Sequence, residues 1–189
     1  TFSYFCRRKD RKDGKLMVSR VKRYFLEIKD FSNTIDLNLP GNYKIVLDNK
    51  DNFHLNKFFY KQIGLDHFWR DRLLWSDSEW VKYVTNKNLE THVLKKGEDL
   101  VGYYEQEYHP GSNEVELINL GVLKEFRGLK LGSTLVNHAI ASASRISIRW
   151  LRRVLILSIA KNVSSLAAAL MEATSDLQKS RPLQKSRVT

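Results

Sequence analysis

Leu120-Gly-Val-Leu-Lys-Glu-Phe-Arg127-Gly-Leu-Lys-Leu-Gly132-Ser-Thr134 joins a stretch of strand character to a stretch of helix character. Upstream, Glu114 to Val122 alternates polar and apolar side chains as a strand does. Downstream, Leu131, Leu135, Val136, Ala139 and Ile140 recur at the spacing of one helical face. Between them, Gly128 and Gly132 permit a tight turn and close approach to the backbone. A helix that starts near Leu131 presents unpaired first-turn amides and the positive end of its dipole to that turn. The connection therefore suits an anion: a diphosphate fits on the backbone N–H groups, with Arg127 or Lys130 adding charge. An ordinary strand-to-helix connection, with glycines serving only the turn, accounts for the two glycines equally well. Two other phosphate loops do not fit. A P-loop needs four residues between its glycines and a lysine before the Ser/Thr, whereas three residues separate Gly128 from Gly132 and Ser133 follows directly. The Gly-x-Gly-x-x-Gly fingerprint of dinucleotide-binding folds is absent.

Working outward, Thr91 to Leu94, Leu100 to Tyr108 and Glu114 to Val122 are separated by the turn sequences Lys96-Gly-Glu-Asp99 and Pro110-Gly-Ser-Asn113, which predicts an antiparallel meander. Ahead of it, Tyr43 to Leu47 reads as a short strand, and Leu55, Phe58, Phe59 and Ile63 have helical spacing, predicting a helix at about 52–63. Ser76-Asp-Ser-Glu79 fits a capping box before Trp80, Val81 and Val84 and predicts a second helix near 77–85. Val18 to Ile28 reads as one strand, Val154 to Ala160 as a buried strand, and Ser164 to Asp176 as an alanine-rich last helix. The charged stretch at 1–16 is expected to be a disordered basic leader. The tail at 177–189, with Leu-Gln-Lys-Ser-Arg repeated at 177–181 and 183–187, is expected to be disordered as well. A single domain over 17–176 remains.

The composition bounds the function. With 189 residues and 42% hydrophobic content, one domain can bury a sizeable core. Cys6 is the only cysteine, so neither an intramolecular disulfide nor a cysteine metal cage can form. His54, His67, His92, His109 and His138 are scattered without metal-ligand spacing, and no metal is expected. The longest apolar stretches fall far short of the roughly 20 residues that cross a bilayer, so the chain reads as soluble and cytoplasmic. The net charge of +11 invites a nucleic-acid partner, but its distribution argues against one. Residues 1–23 and 141–189 each carry +7, whereas 24–140 carries −3. Basicity confined to the two ends describes solvated peripheral segments better than a phosphate-tracking groove on a folded face.

Arg127-Gly-Leu-Lys-Leu-Gly132, preceded by Leu120-x-Val122 and followed by an amphipathic helix, resembles the acetyl-CoA signature Arg/Gln-x-x-Gly-x-Gly/Ala of the GNAT acetyltransferase superfamily. Phe68-Trp-Arg-Asp-Arg-Leu-Leu-Trp-Ser-Asp77, Val101-Gly-Tyr-Tyr-Glu105 and Glu114 to Gly121 are similar to a bacterial group of that superfamily, so the likeness covers roughly 20–140. The resemblance implies an α/β (α+β) fold in which a mostly antiparallel mixed sheet is flanked by helices. It implies acetyl-CoA as acyl donor, an amine as acceptor, direct attack on the thioester, and a monomer or homodimer. Leu120, Gly121 and Val122 would offer backbone hydrogen bonds to the pantetheine arm and acetyl carbonyl where two strands splay. Arg127, Gly128, Leu129, Lys130, Leu131, Gly132 and Ser133 would surround the pyrophosphate. Glu116 is the candidate base, since it lies on the strand leading into the loop and relatives often place a carboxylate there; a solvent-facing strand residue is the plain alternative. Alternation puts Glu114, Glu116 and Ile118 on one face, opposite Val115, Leu117 and Asn119. Tyr103, Tyr104, Glu105 and Glu107 either line an acceptor site or belong to a half-exposed strand.

Two departures stand out. Lys130 occupies a signature position that is usually glycine, and Leu170, Thr174 and Ser175 stand where the group usually carries Tyr-x-x-x-Gly-Phe. The tyrosine that protonates the leaving thiolate in many relatives is thus missing. This leaves a second possibility: a catalytically impaired GNAT-fold CoA-binding module with a diverged or frame-shifted C-terminus.

Overall fold

A computed structural model describes residues 39, 41–49, 52–67 and 69–145 in full, and the backbone of four further strands. The elements, in order, are β1 (Ser3–Lys9), β2 (Leu16–Lys22), β3 (Tyr24–Ile28), β4 (Tyr43–Leu47), α1 (Phe53–His67), α2 (Asp77–Val84), β5 (Leu89–Lys96), β6 (Asp99–His109), β7 (Glu114–Val122), α3 (Leu131–Ser144) and β8 (Trp150–Leu155). Six strands form one sheet in the order β3-β8-β7-β6-β5-β4. The meander β5-β6-β7 lies at its centre, antiparallel throughout, and β7 runs parallel to β8 with α3 as the crossover.

Local chemistry explains the helices. At α2, the Ser76 side chain accepts from the Glu79 amide while Glu79 Oε2 accepts from the Ser76 amide at 2.7 Å, which closes the capping box. In α3 the stripe Leu131, Leu135, Val136, Ala139 and Ile140 is buried, as its periodicity predicts. It packs with Leu94, Val101, Tyr104, Val115, Leu117 and Leu120 on one face of the sheet. On the other face, Phe59, Tyr60 and Ile63 of α1 and Trp80 of α2 close over Val93 and Tyr103. Both faces of the central strands are therefore dry.

The sheet departs from the sequence expectation in four places. Ser3–Lys9 is a strand, not a structureless leader: it pairs antiparallel with Leu16–Lys22 in a separate two-stranded ladder. The β-forming Tyr4-Phe-Cys6 on one side of Asp13-Gly14 and Leu16-Met-Val18 on the other supply a hairpin pattern that the interspersed charges hide. The single strand expected over 18–28 is split between β2 and β3, which lie in different sheets. The last strand starts at Trp150, ahead of the Val154 expected. The third-strand pairing also carries a bulge. Glu105 faces Asn119 and Gln106 faces Leu117, which leaves Ile118 as the extra residue. Past this bulge the alternation reverses, so Asn119 shares the α1 face with Glu105 and does not follow Val115 and Leu117. The remainder of the expected last strand, the helix at 164–176 and the tail at 177–189 lie outside the described residues.

Gly121 is a packing requirement. A Cβ there would collide with Ile63 Cγ2 of α1. Gly121→Ala is expected to lower stability by about 1–3 kcal/mol through overpacking. In an Ile63→Ala background the loss caused by Gly121→Ala should be smaller, which thermal unfolding of the two single variants and the double variant would measure. Equal losses in Gly121→Ala with and without Ile63→Ala would contradict the contact.

Candidate active site

The anion loop begins where β7 ends. Leu123 leads into a short 3-10 turn, Lys124–Phe126, and the chain then reverses through Gly128 at φ +85°, a left-handed conformation that disfavours residues with a side chain. Lys130, the residue before α3, is also left-handed, with φ 58° and ψ 10°. That conformation explains why glycine suits the position, and it shows that lysine preserves the backbone path at a modest strain. Gly128 and Lys130, both left-handed, flank Leu129 just ahead of the helix, and successive amides in such a turn suit an anion.

Hydrogen-bond accounting identifies the free donors. The Phe126 amide donates to Leu123 O at 3.0 Å and the Arg127 amide to Lys124 O at 3.3 Å. Beyond the turn, the Ser133 and Thr134 amides both donate to Lys130 O, at 3.0 and 3.3 Å. Among the described residues, the amides of Gly128, Leu129, Lys130, Leu131 and Gly132 find no such acceptor. The Ser133 amide is thus already engaged, and its hydroxyl is what that residue has left to offer. Side chains follow suit. Leu131 points into the core, whereas Leu129 and Lys130 are exposed. A Cβ built on Gly132 meets nothing within 4 Å, so open space lies directly over the first turn of α3.

Arg127 already spends part of its guanidinium on protein partners. Its Nη1 donates to Asp66 Oδ2 at 2.7 Å and its Nε to Val122 O at 3.2 Å, tying the loop to the last turn of α1 and to the end of β7. The guanidinium holds the Asp66 carboxyl below the usual carboxylate range, so this clamp is intact at neutral pH and is lost as pH falls through that lowered pKa. Lys130 is a further loop cation and faces solvent.

β7 itself opens beside the loop. Its parallel ladder with β8 covers only Glu114, Val115 and Glu116, opposite Trp150, Leu151 and Arg152. From Leu117 to Val122 the strand has β6 on one side and, among the described residues, no ladder to β8 on the other. Among those residues β7 and β8 thus part after Glu116, and Leu120, Gly121 and Val122 carry β7 on to the anion loop. Glu116 stands where the described ladder to β8 ends, half-buried, with its Oε2 3.1 Å from His109 Nε2. It lies two residues ahead of the bulge, about 6–7 Å along the strand.

Residues 50–169 match the profile of the Acetyltransferase (GNAT) family, which is more than half of the chain. The chain belongs to the GNAT acetyltransferase family. Solved structures share the fold at low identity. An aminoglycoside acetyltransferase, meta-AAC0020, from an uncultured soil metagenomic sample superposes with a TM-score of 0.52 at 11% identity, covering 78% of this chain and 93% of that one. The ribosomal-protein-S18-alanine N-acetyltransferase from Escherichia coli gives 0.52 at 15% identity, covering 70% and 76%. A GCN5-related N-acetyltransferase from Kribbella flavida gives 0.52 at 11%, covering 74% and 50%. No curated protein matches the sequence.

Other residues of this GNAT chain are taken up by the core. Tyr103, Tyr104 and Glu105 are fully buried, on alternate faces of the sheet, and so neither line an open acceptor site nor form a half-exposed strand. Trp69 and Trp80 are core. Tyr104 shares a 2.8 Å hydrogen bond with His138 Nδ1, and burial, with His92 and Arg145 nearby, pushes the His138 imidazole down to about 4. It stays neutral in the fold, so stability is expected to fall as pH drops below the ordinary histidine value. Among the described residues no group of three or more His, Cys, Asp or Glu side chains is arranged to hold a metal, and no helix is long and apolar enough to cross a membrane. His109 is the site neighbour that sequence spacing alone does not reveal.

Proposed function

We propose that the protein is an N-acetyltransferase that passes the acetyl group of acetyl-CoA to a primary amine. The observation that carries this reading is the run of amides from Gly128 to Gly132 that has no backbone acceptor among the described residues, set just beyond Leu120 to Val122 at the end of β7. The residues fit the donor. Backbone amides and Lys130 would hold the diphosphate, while the backbone of Leu120, Gly121 and Val122, on the side of β7 away from β6, would accept the pantetheine arm as a further strand accepts its neighbour. CoA supplies the activated thioester. The chain then has to orient that thioester and take a proton from the ammonium form of the acceptor. Glu116 is the base, through a bridging water, with His109 fixing its carboxylate.

Titration calorimetry tests the cradle. Gly132→Val places a branched side chain in the open space over the first turn, so acetyl-CoA affinity is expected to fall at least about tenfold. The same space lets the variant keep its melting temperature to within a few degrees. Unchanged affinity in a folded Gly132→Val would remove this loop from the cofactor site.

A further inference from the structure

The bulge in β7 is held by a side chain that the cofactor reading does not use. Asn119, the first paired residue after the extra Ile118, is buried and donates through Nδ2 to Glu105 Oε2 at 2.6 Å. Glu105 is itself fully buried and fixed from other directions. Asn56 Nδ2 donates to its Oε1 at 2.7 Å, and Tyr83 OH and Arg72 Nη1 donate to Oε2 at 2.8 and 3.2 Å. The Arg72 guanidinium lies 4.1 Å from the Tyr83 ring centroid and is covered by it. A carboxylate with donors on both oxygens, contributed by α1, the segment before α2, and α2 itself, has one available position. Asn119 is thereby pinned to a fixed point in the core.

That pin sits at a consequential place. A bulge turns the backbone and re-aims the amides beside it. Here it falls between Glu116, where the β8 ladder ends, and Leu120, where the edge proposed for the acyl chain begins. We infer that Asn119 is a positioning residue: anchored on Glu105, it fixes the bulge so that a backbone amide next to it meets the acyl carbonyl of the bound thioester. The inference rests on the acetyl-CoA reading of that edge. Asn119 touches neither substrate nor cofactor; its effect passes through the backbone.

Two inert CoA thioethers separate this role from a merely structural one. S-acetonyl-CoA carries a ketone close to the position of the acetyl carbonyl, whereas S-ethyl-CoA has none. The full-length parent is expected to bind the ketone about fivefold more tightly, the scale of one net hydrogen bond. Asn119→Leu, which keeps the volume but withdraws the donor, should bind both with the affinity the parent shows for S-ethyl-CoA. Asn119→Asp should retain the preference, because two buried carboxyls so close share a proton, and that proton restores a hydrogen bond to Glu105. Should Asn119→Leu not fold, Asn119→Ala removes the same bond and gives the same comparison. A ketone preference that survives in a folded Asn119→Leu or Asn119→Ala overturns the inference while leaving the cofactor site intact. Failure of the parent to bind either analogue overturns the acetyl-CoA reading, and the inference with it.

Discussion

Glu116→Gln is expected to lower kcat about a hundredfold while leaving acetyl-CoA affinity within about twofold. The substitution keeps the shape of the side chain and a hydrogen bond to His109, but it cannot accept a proton. Only the protonated fraction of the amine needs a base, so the deficit should shrink as pH rises toward the acceptor's own pKa. A pH–rate profile of parent and variant reads this directly. The position of Glu116 at the end of the β8 ladder makes the prediction specific: the carboxylate is half-buried and, among the described residues, held by His109 at 3.1 Å. If Glu116→Gln turns over as fast as the parent at every pH, another group or bulk water takes the proton.

Arg72→Leu is expected to cost about 3–5 kcal/mol, the range for removing one partner of a buried pair. For a chain of this size that corresponds to a fall in melting temperature of roughly 10–15 °C. The Arg72 side chain is 10% exposed and that of Glu105 0%, so solvent gives little screening to the charge left behind. Asn56, Tyr83 and Asn119 would still donate to Glu105, but none neutralises it. The double substitution Arg72→Leu with Glu105→Leu should therefore be more stable than Arg72→Leu alone, since it removes the stranded charge. Calorimetric melting of the three variants decides the matter. A double variant as unstable as the sum of its parts would show that packing, not charge, accounts for the loss.

Much of the fold is local enough to read from sequence. The stripe Leu131 to Ile140 follows the helical period, and Ser76 with Glu79 closes the capping box that its spacing predicts. The turns around Lys96-Gly-Glu-Asp99 and Pro110 to Asn113 separate the three meander strands as expected. What the sequence does not reveal is what two distant segments decide together. The extra residue Ile118 is extra only relative to β6, and one such slip moves Asn119 to the other face. Glu105 looks like a solvent-facing strand residue until α1, α2 and the segment between them supply its donors, some of them more than thirty positions away. The hairpin of β1 and β2 is masked by its charges in the same way, since pairing depends on the partner strand.

The candidate site divides along the same line. The loop was legible because glycine spacing and a helix start are sequence properties, and the left-handed Gly128 and Lys130 supply the geometry behind them. The task of Arg127 was not, because Asp66 lies on another element. Glu116 was legible as a carboxylate on the strand that leads into the loop, and its pairing with His109 was not, because that pairing depends on register across β6 and β7.

Release of free thiol from acetyl-CoA, followed against a panel of primary amines with the full-length protein, tests the central claim most directly. Thiol release is expected to depend on an amine, to saturate with acetyl-CoA, and to drop in both Gly132→Val and Glu116→Gln. Tight binding of acetyl-CoA with no thiol released for any amine would contradict the claim and would make the protein a CoA-binding member of the family.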